Sequence, residues 1–468
     1  MDFGPRWAKI HIFPDSPDKA KICYHLLRNG TQAVPYNALH FNTIKGGEFA
    51  PPLRTFIIYQ ENMTMKLIPG GVCAASGFKA SGIHCGIRRN HSKKDLALIV
   101  SQVPAAAAAV YTTNLVKGAP LTVTRNNIAD GIAQAVICNS GNANTCNWNG
   151  IQIAEEMCDL VEKHTGVPAN NVVVASTGVI GQVLDLTPIA NGMEALVAGL
   201  SVPGAADAAQ AIMTTDTHPK EVAVEFEIGG KVCRMGGIAK GSGMIHPNMA
   251  TMLVFITTDC AISPEMLNAA LKGDVPNTFN MTSVDGDTST NDMVAVLANG
   301  LAGNEPITGE GAEFDTFMKA LNTITVHLCR MIAGDGEGAT KLLECTTSGA
   351  DTREAAKIAA KSVITSSLFK AAMFGADANW GRVLCAIGYS GADVDVSKIG
   401  VSFRSNKGTV TVCKNGSGIL FSEEIAKEIL LEKEIDILIS VGDGPYCASA
   451  WGCDLTYDYV KINGDYRT

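Results

Sequence analysis

An α/β fold, with mixed β-sheets layered against helices, is the class this sequence predicts. Three observations carry the prediction. Short β-branched apolar runs such as "VVVAS", Val172–Ser176, have the length and make-up of buried strands. Other segments show apolar residues at helical spacing, with clear start signals. The two kinds of segment are interspersed along the chain, without an internal repeat or a low-complexity linker.

Each element follows from local chemistry. "LTPIANGMEALVAGL" predicts a helix with Thr187 as N-cap and Pro188 at the first helical position. Ile189, Met193, Leu196, Val197 and Leu200 then share one face. "VAVEFEIGGKVCRMGGI" alternates around Gly229 and Gly230 and predicts a β-hairpin. In "GGIAKGSGMIHPNMATMLVFITTD", Gly236 to Asp259, a Gly-rich loop runs into a strand over Met252–Thr258. "SPEMLNAALKG" predicts a capped helix closed by Gly273. "TREAAKIAAKSVITSSLFKAAMFG" is helical at first and then undecided between states. "EIAKEILLEKEIDILISVGDG" predicts a helix followed by a strand.

The chain has 468 residues, enough for one large or two ordinary domains with a sizeable core. Hydrophobic residues make up 46% and charged residues 18%, the balance of a globular protein. A net charge of −9 argues against a nucleic-acid face, which needs a basic surface. No apolar run reaches membrane-spanning length; "VPAAAAAVYTTN" is too short and too rich in alanine. The 14 cysteines are scattered, with no CxxC pair. Cys138, Cys260 and Cys385 sit in apolar runs and read as reduced core residues of a cytoplasmic protein.

Residues 1–64 lack sustained period and read as an N-terminal extension outside the fold. They resemble neither a signal peptide nor a transit peptide. A misassigned start is the alternative reading, with translation from Met63 or Met65 behind a purine-rich stretch encoding Gln60–Met63. Deleting residues 1–62 is expected to leave processing and activity unchanged. Loss of soluble protein on truncation, read by gel filtration, is the contrary outcome.

Six stretches, "IMTTDTHPKE", "VVASTGVIGQ", "KGSGMIHPNMATML", "AGDGEGATK", "DANWGR" and "DYVKINGDYRT", resemble the ornithine acetyltransferase family. These are the glutamate N-acetyltransferases of arginine biosynthesis. The resemblance spans roughly Met65 to Thr468. It implies a layered sandwich of that family's type, self-cleaved into an α chain, residues 65–250, and a β chain, residues 251–468. The cut would fall between Ala250 and Thr251. A hydroxyl can attack its own preceding carbonyl where the backbone is bent, and Gly241 and Gly243 supply the bend. The plainer reading is a threonine that favours strands.

The freed α-amine, with an unperturbed pKa of about 7.7–8.0, would serve Thr251 as its own base. By resemblance, the Thr177 hydroxyl and the Gly178 N–H form the oxyanion hole. Capping at a strand-to-helix turn is the plainer reading, and the one that suits Ser176 better. The family's substrate positions fall on Thr217, Lys240, Thr251, Glu337, Asn463 and Thr468. A charge argument pairs Lys240 with a substrate carboxylate and Glu337 with an ammonium. A solvated loop lysine, a surface glutamate and helix-end residues at Thr214, Thr215 and Asp216 are the blander readings. His246 reads as incidental, and the acidic run Ser283–Asp292 departs from a calcium loop and is assigned no metal. "GDGEGATK" lacks phosphate-loop spacing.

The resemblance implies acetyl transfer from N-acetylornithine to glutamate by ping-pong kinetics through acetyl-Thr251, with no cofactor and with acetyl-CoA as an alternative donor. It implies small-molecule substrates and an α2β2 assembly. A self-processed aminopeptidase or amidase, with water as acceptor, is the alternative, and a non-enzymatic binding protein ranks third.

Overall fold

The computed structural model describes residues 65–246 and 252–464, and a two-residue antiparallel strand pair, His11–Ile12 with Ile22–Cys23. The rest of the extension, Ala250, Thr251 and Thr468 lie outside the described residues.

One sheet has nine strands. These are β1 (Lys66–Ile68), β2 (Phe78–Ile83), β3 (Leu96–Tyr111), β4 (Ile132–Asn142), β5 (Val172–Val179), β6 (Lys220–Ile228), β7 (Lys231–Lys240), β8 (Leu253–Thr258) and β9 (Met293–Ala298). Their spatial order is β1-β6-β7-β8-β9-β3-β4-β5, with β2 also paired to β3. β8 runs parallel to β9 and β4 to β5, while the other pairings are antiparallel. A second sheet has the order β13-β12-β11-β14-β10-β15. Its strands are β10 (Leu342–Ala350), β11 (Gly400–Ser405), β12 (Gly408–Lys414), β13 (Ser417–Gly418), β14 (Glu434–Ser440) and β15 (Tyr446–Cys453).

Helices cover both sheets. α1 (Ala119–Asn127), α2 (Gly150–Thr165) and α3 (Thr187–Ala198) share a core with β4 and β5, and α4 (Gly204–Ala211) packs on β2 and β3. α5 (Pro264–Asp274) lies against β3. α6 (Ala312–Gly334) bridges the sheets, touching β6 and β7 on one side and β10 and β15 on the other. α7 (Arg353–Thr365) covers β10 and β15; α8 (Ser367–Phe374), α9 (Trp380–Gly388), α10 (Glu423–Leu430) and α11 (Tyr457–Gly464) complete the set.

The central strands are buried on both faces. Val254, Ile256, Val294 and Val296 belong to the core shared with α6 and the second sheet. Leu253, Phe255, Met293 and Ala295 belong to the core shared with β2 and α4. A strand between two cores has no polar face to alternate with, so its sequence reads as a continuous apolar run.

Several local expectations change. Thr187 is the first helical residue of α3, not its cap; the cap position is Leu186, and the Asp185 carboxylate accepts from the Thr187 N–H at 2.9 Å. Gly273 lies inside α5, which continues to Asp274 and into a 3-10 turn at Val275–Asn277. The undecided segment after α7 is helical too: Ser366 breaks the run and caps α8 by accepting from the Phe369 N–H. Cys138 and Cys260 are buried as expected, but Cys385 on α9 is exposed, because α9 turns only part of its surface to the core. The hairpin at Gly229–Gly230 and the helix–strand pair of α10 and β14 form as read.

Candidate active site

A cleft opens where β5 and β7 end beside the start of β8. Thr177, Lys240, Gly243, Met252, Asn291 and Asp292 are among the residues lining it. Met252 directly follows Thr251 in the sequence, so the chain leaving the proposed cut enters the fold here.

Thr177 and Gly178 are strand residues, not caps of a helix. The β4–β5 ladder is irregular at Gly141 and Asn142, opposite them. Gly178 has φ +134°, and a Cβ there would collide with the Gly141 carbonyl carbon, so only glycine fits this kink. Ser176 does not cap either; its hydroxyl donates to Asn139 Oδ1 at 2.5 Å.

Lys240 closes β7 and is buried at the wall of the cleft, not solvated. Its Nζ donates to Thr177 Oγ1 at 3.2 Å. Burial pushes its ammonium below the ordinary lysine range, against the opposing pull of Asp216 and Asp292. The candidate oxyanion donor and the candidate carboxylate partner therefore sit in direct contact.

Behind Lys240 lies a buried ion network. Lys220 Nζ reaches Asp216 Oδ1 and Asp335 Oδ2, each at 2.6 Å. Asp216 also accepts from the Gly241 N–H at 2.7 Å and the Thr214 N–H at 3.0 Å. Burial alone would raise the Asp216 carboxyl, but the Lys220 and Lys240 ammonium groups outweigh it and hold the carboxyl well below the usual range. Asp335 accepts from the Thr217 N–H at 3.0 Å and from the Thr217 hydroxyl. Its carbonyl accepts from Ser242 Oγ at 2.7 Å, and the Ser242 carbonyl accepts from the Glu337 N–H at 2.9 Å. Thr217, Gly241 and the Glu337 loop are thus fixed to one another through Lys220.

Glu337 is buried, and Asn463 on α11 donates to its Oε2 at 2.8 Å. Gly243, which lines the cleft, carries no Cβ because one would strike the Glu337 carboxylate. His246 donates to or accepts from Ser283 Oγ at 3.1 Å, and burial takes its imidazole down to about 4.

Asn291 is a site residue that the sequence did not single out. Its amide nitrogen donates to Ala143 O at 2.5 Å and Ser176 O at 2.9 Å. Its Oδ1 accepts from Thr145 and Thr290, both at 2.6 Å. This pins the acidic run to the end of β5. Within that run Asp285 accepts from the Met244 and Ile245 N–H groups at 2.6 and 2.9 Å, so its carboxylate holds the glycine loop.

Residues 79–468 match the family model described as the ArgJ family. The arginine biosynthesis bifunctional protein ArgJ of Caldanaerobacter subterraneus subsp. tengcongensis is 51% identical over 405 residues, 86% of this chain and 100% of the relative. The protein of the same description from Symbiobacterium thermophilum is 51% identical over 406 residues, 86% of this chain and 100% of its own. A crystal structure of the Bacillus halodurans argJ protein is 43% identical, covering 41% of this chain and 100% of that one, with a TM-score of 0.38. On the sequence matches, the chain belongs to the ArgJ family.

Proposed function

We propose that Thr251, released by self-cleavage after Ala250, carries the acetyl group between two substrates bound in turn in the cleft beside Lys240. The chain is an acyltransferase of arginine biosynthesis, moving acetyl from N-acetylornithine to glutamate and yielding ornithine and N-acetylglutamate. The observation that most supports this site is the contact of Lys240 with Thr177 in a cleft also lined by Met252. It puts a buried cation and a hydroxyl beside the residue that follows Thr251.

In this reading Thr251 Oγ attacks the acetyl carbonyl while its α-amine takes the hydroxyl proton. The Thr177 hydroxyl and Gly178 N–H stabilise the oxyanion; one such donor contributes about 2.7–4 kcal/mol. Lys240 meets the substrate carboxylate, and Glu337, steadied by Asn463, meets the ornithine ammonium. Thr217 and Thr468 complete the binding set. This chemistry uses only side chains and main chain, and acetyl-CoA is proposed as a second donor. The cut yields chains 65–250 and 251–468, which we propose pair into an α2β2 enzyme of the cytoplasm, residues 1–64 remaining outside the fold. Among the described residues no helix is long and apolar enough to cross a membrane.

The test is acetyl transfer with and without glutamate. N-acetylglutamate is the expected product; accumulation of acetate with glutamate in excess would replace transfer by hydrolysis. Lys240→Met is expected to lower kcat/KM for both N-acetylornithine and glutamate by about 10- to 150-fold, the loss of one charge-assisted hydrogen bond. An effect on one substrate alone would contradict a carboxylate site shared in turn.

A further inference from the structure

Asp292 stands in the cleft without a role in the chemistry above. It precedes β9 and is held by main chain on both sides: the Thr112 N–H donates to its carbonyl at 3.0 Å, and the Met293 N–H donates to Met252 O at 2.9 Å. Its side chain is buried; Ser289 and Thr112 hydrogen-bond to the carboxyl, yet among the described residues its Oδ2 has no hydrogen-bond partner. A buried carboxylate oxygen without a donor costs free energy, unless a ligand brings the donor. Asp292 shares the cleft with Lys240 and Thr177, the contacts that receive substrate in the proposed reaction.

Both substrates present the same group to the acetyl carbon. The acetyl leaves the α-nitrogen of ornithine and joins the α-nitrogen of glutamate. Glutamate arrives as an ammonium ion, which has no lone pair to attack with. Ornithine departs as an amine that must end as an ammonium ion. Each turnover therefore removes one proton from the incoming amino acid and adds one to the outgoing amino acid, beyond the proton that the Thr251 amine handles.

We propose that Asp292 is the shuttle for this proton, a catalytic residue for both half-reactions. The inference rests on the acetyl-Thr251 reading. An N–H bond of the glutamate ammonium breaks, its electron pair stays on nitrogen, and the proton bonds to Oδ2. The neutral amine forms a C–N bond to the acetyl carbon as the carbonyl pair moves to oxygen. Collapse breaks the bond to Thr251 Oγ, and the second amine proton passes through the Thr251 α-amine to that oxygen. In the next donor half-reaction the protonated Asp292 returns its proton to the leaving ornithine nitrogen. Charge and protons balance over the cycle.

The surroundings suit a group that changes protonation. Burial raises the Asp292 carboxyl well above the usual carboxylate range; hydrogen bonding to Ser289, the Lys240 ammonium at the end of β7 and hydrogen bonding to Thr112 pull it partly back. Ser289 from its own loop and Thr112 after β3 lie beside it, and Met252 and Leu253 line the cleft from the β8 side; none of these is charged. A carboxyl displaced upward in this direction holds a proton more readily at neutral pH, as a general acid–base group must.

The test uses the mature two-chain enzyme and its Asp292→Asn variant. Acetylation by p-nitrophenyl acetate should stay within about threefold, because a phenolate leaves without a proton. Transfer to glutamate at pH 7 should fall by roughly 10²- to 10⁴-fold. The variant's transfer rate should then climb about tenfold per pH unit toward the amine's own pKa, while the wild type stays level. Equal loss of both activities, unchanged transfer, or an unchanged pH profile would each overturn the shuttle. If D292N does not fold or process, Asp292→Glu decides: it keeps a carboxylate and should keep the level wild-type profile at a reduced rate, and a tenfold-per-unit slope there overturns the proposal. Absence of an acetylated Thr251 peptide in wild-type enzyme would instead overturn the underlying acetyl-threonine reading.

Discussion

Thr251→Ala is expected to yield a single uncut chain with no measurable acetyl transfer. In the proposed mechanism the substitution removes both the hydroxyl that attacks the Ala250 carbonyl and the hydroxyl that carries the acetyl group. Loss of a covalent nucleophile costs on the order of 10⁶ in rate where the same residue begins every turnover. Here the loss is compounded, because an uncut chain also has no α-amine at position 251 to act as base. The fold should survive: β8 starts at Leu253 and is held by β7 and β9 on either side. Intact-mass spectrometry reads the cut and circular dichroism the fold. A second chain starting at residue 251 in the alanine variant, or activity in an uncut wild-type preparation, would remove the self-processing mechanism.

Lys220→Met is expected to be the most destabilising single change near the site. The Lys220 ammonium is fully buried between two carboxylates at 2.6 Å. Without it Asp216 and Asp335 are left in the interior with a shared deficit of positive charge. Removing one partner of a buried pair costs about 3–5 kcal/mol. The pH dependence carries the mechanism. In the wild type the Asp216 carboxyl is held low, so its contribution to stability is present above the unfolded carboxylate pKa and is lost only as pH falls through the lower folded value. In the variant burial acts with one counter-charge fewer, which moves the folded value upward. The difference in stability between the two proteins should therefore shrink as pH falls from 7 toward 4. Urea denaturation at several pH values measures it, and a pH-independent difference would assign the loss to packing. Activity should fall as well, because Thr217 and Gly241 lose their common anchor.

Much of this site stood in the sequence as motifs, but not as a network. "IMTTDTHPKE" contains Thr217, Asp216 and Lys220, and "AGDGEGATK" contains Asp335 and Glu337. Of these, the sequence points to Thr217 and Glu337 as binding residues and offers Asp216 only as a helix-end residue. Nothing local marks Lys220 as buried or says that its second partner lies 115 residues away. Asn291 and Asp292 end an acidic run to which the sequence assigns no metal and no role, and tertiary contacts with the segments of β3, β5 and β8 bury them. Elements set by local chemistry were readable: the Gly229–Gly230 turn, the Ser263 cap of α5, the apolar runs of β5 and β8. Ala105–Ala109 was not readable as strand. Alanine does not favour strands, yet β3 passes between two cores, and small side chains let α4 and α5 approach it.

The strand order carries a consequence for how such an enzyme lives and dies. β8 and β9, which follow the proposed cut, lie in the middle of the nine-stranded sheet, with β7 on one flank and β3 on the other, both from before the cut. Leu253–Thr258 pairs with Lys240–Met235, and Met293–Ala298 with Tyr111–Ala106. The two chains cannot part by sliding along a surface; their separation requires opening the sheet from within. Reassembly afterwards is a meeting of two unfolded molecules, with an association cost of roughly 4–15 kcal/mol that the uncut precursor never faced. With the proposed cut, folding is a one-time event that belongs to the precursor. The persistence of the mature enzyme is set by the height of its unfolding barrier, and not by an equilibrium to which it can return.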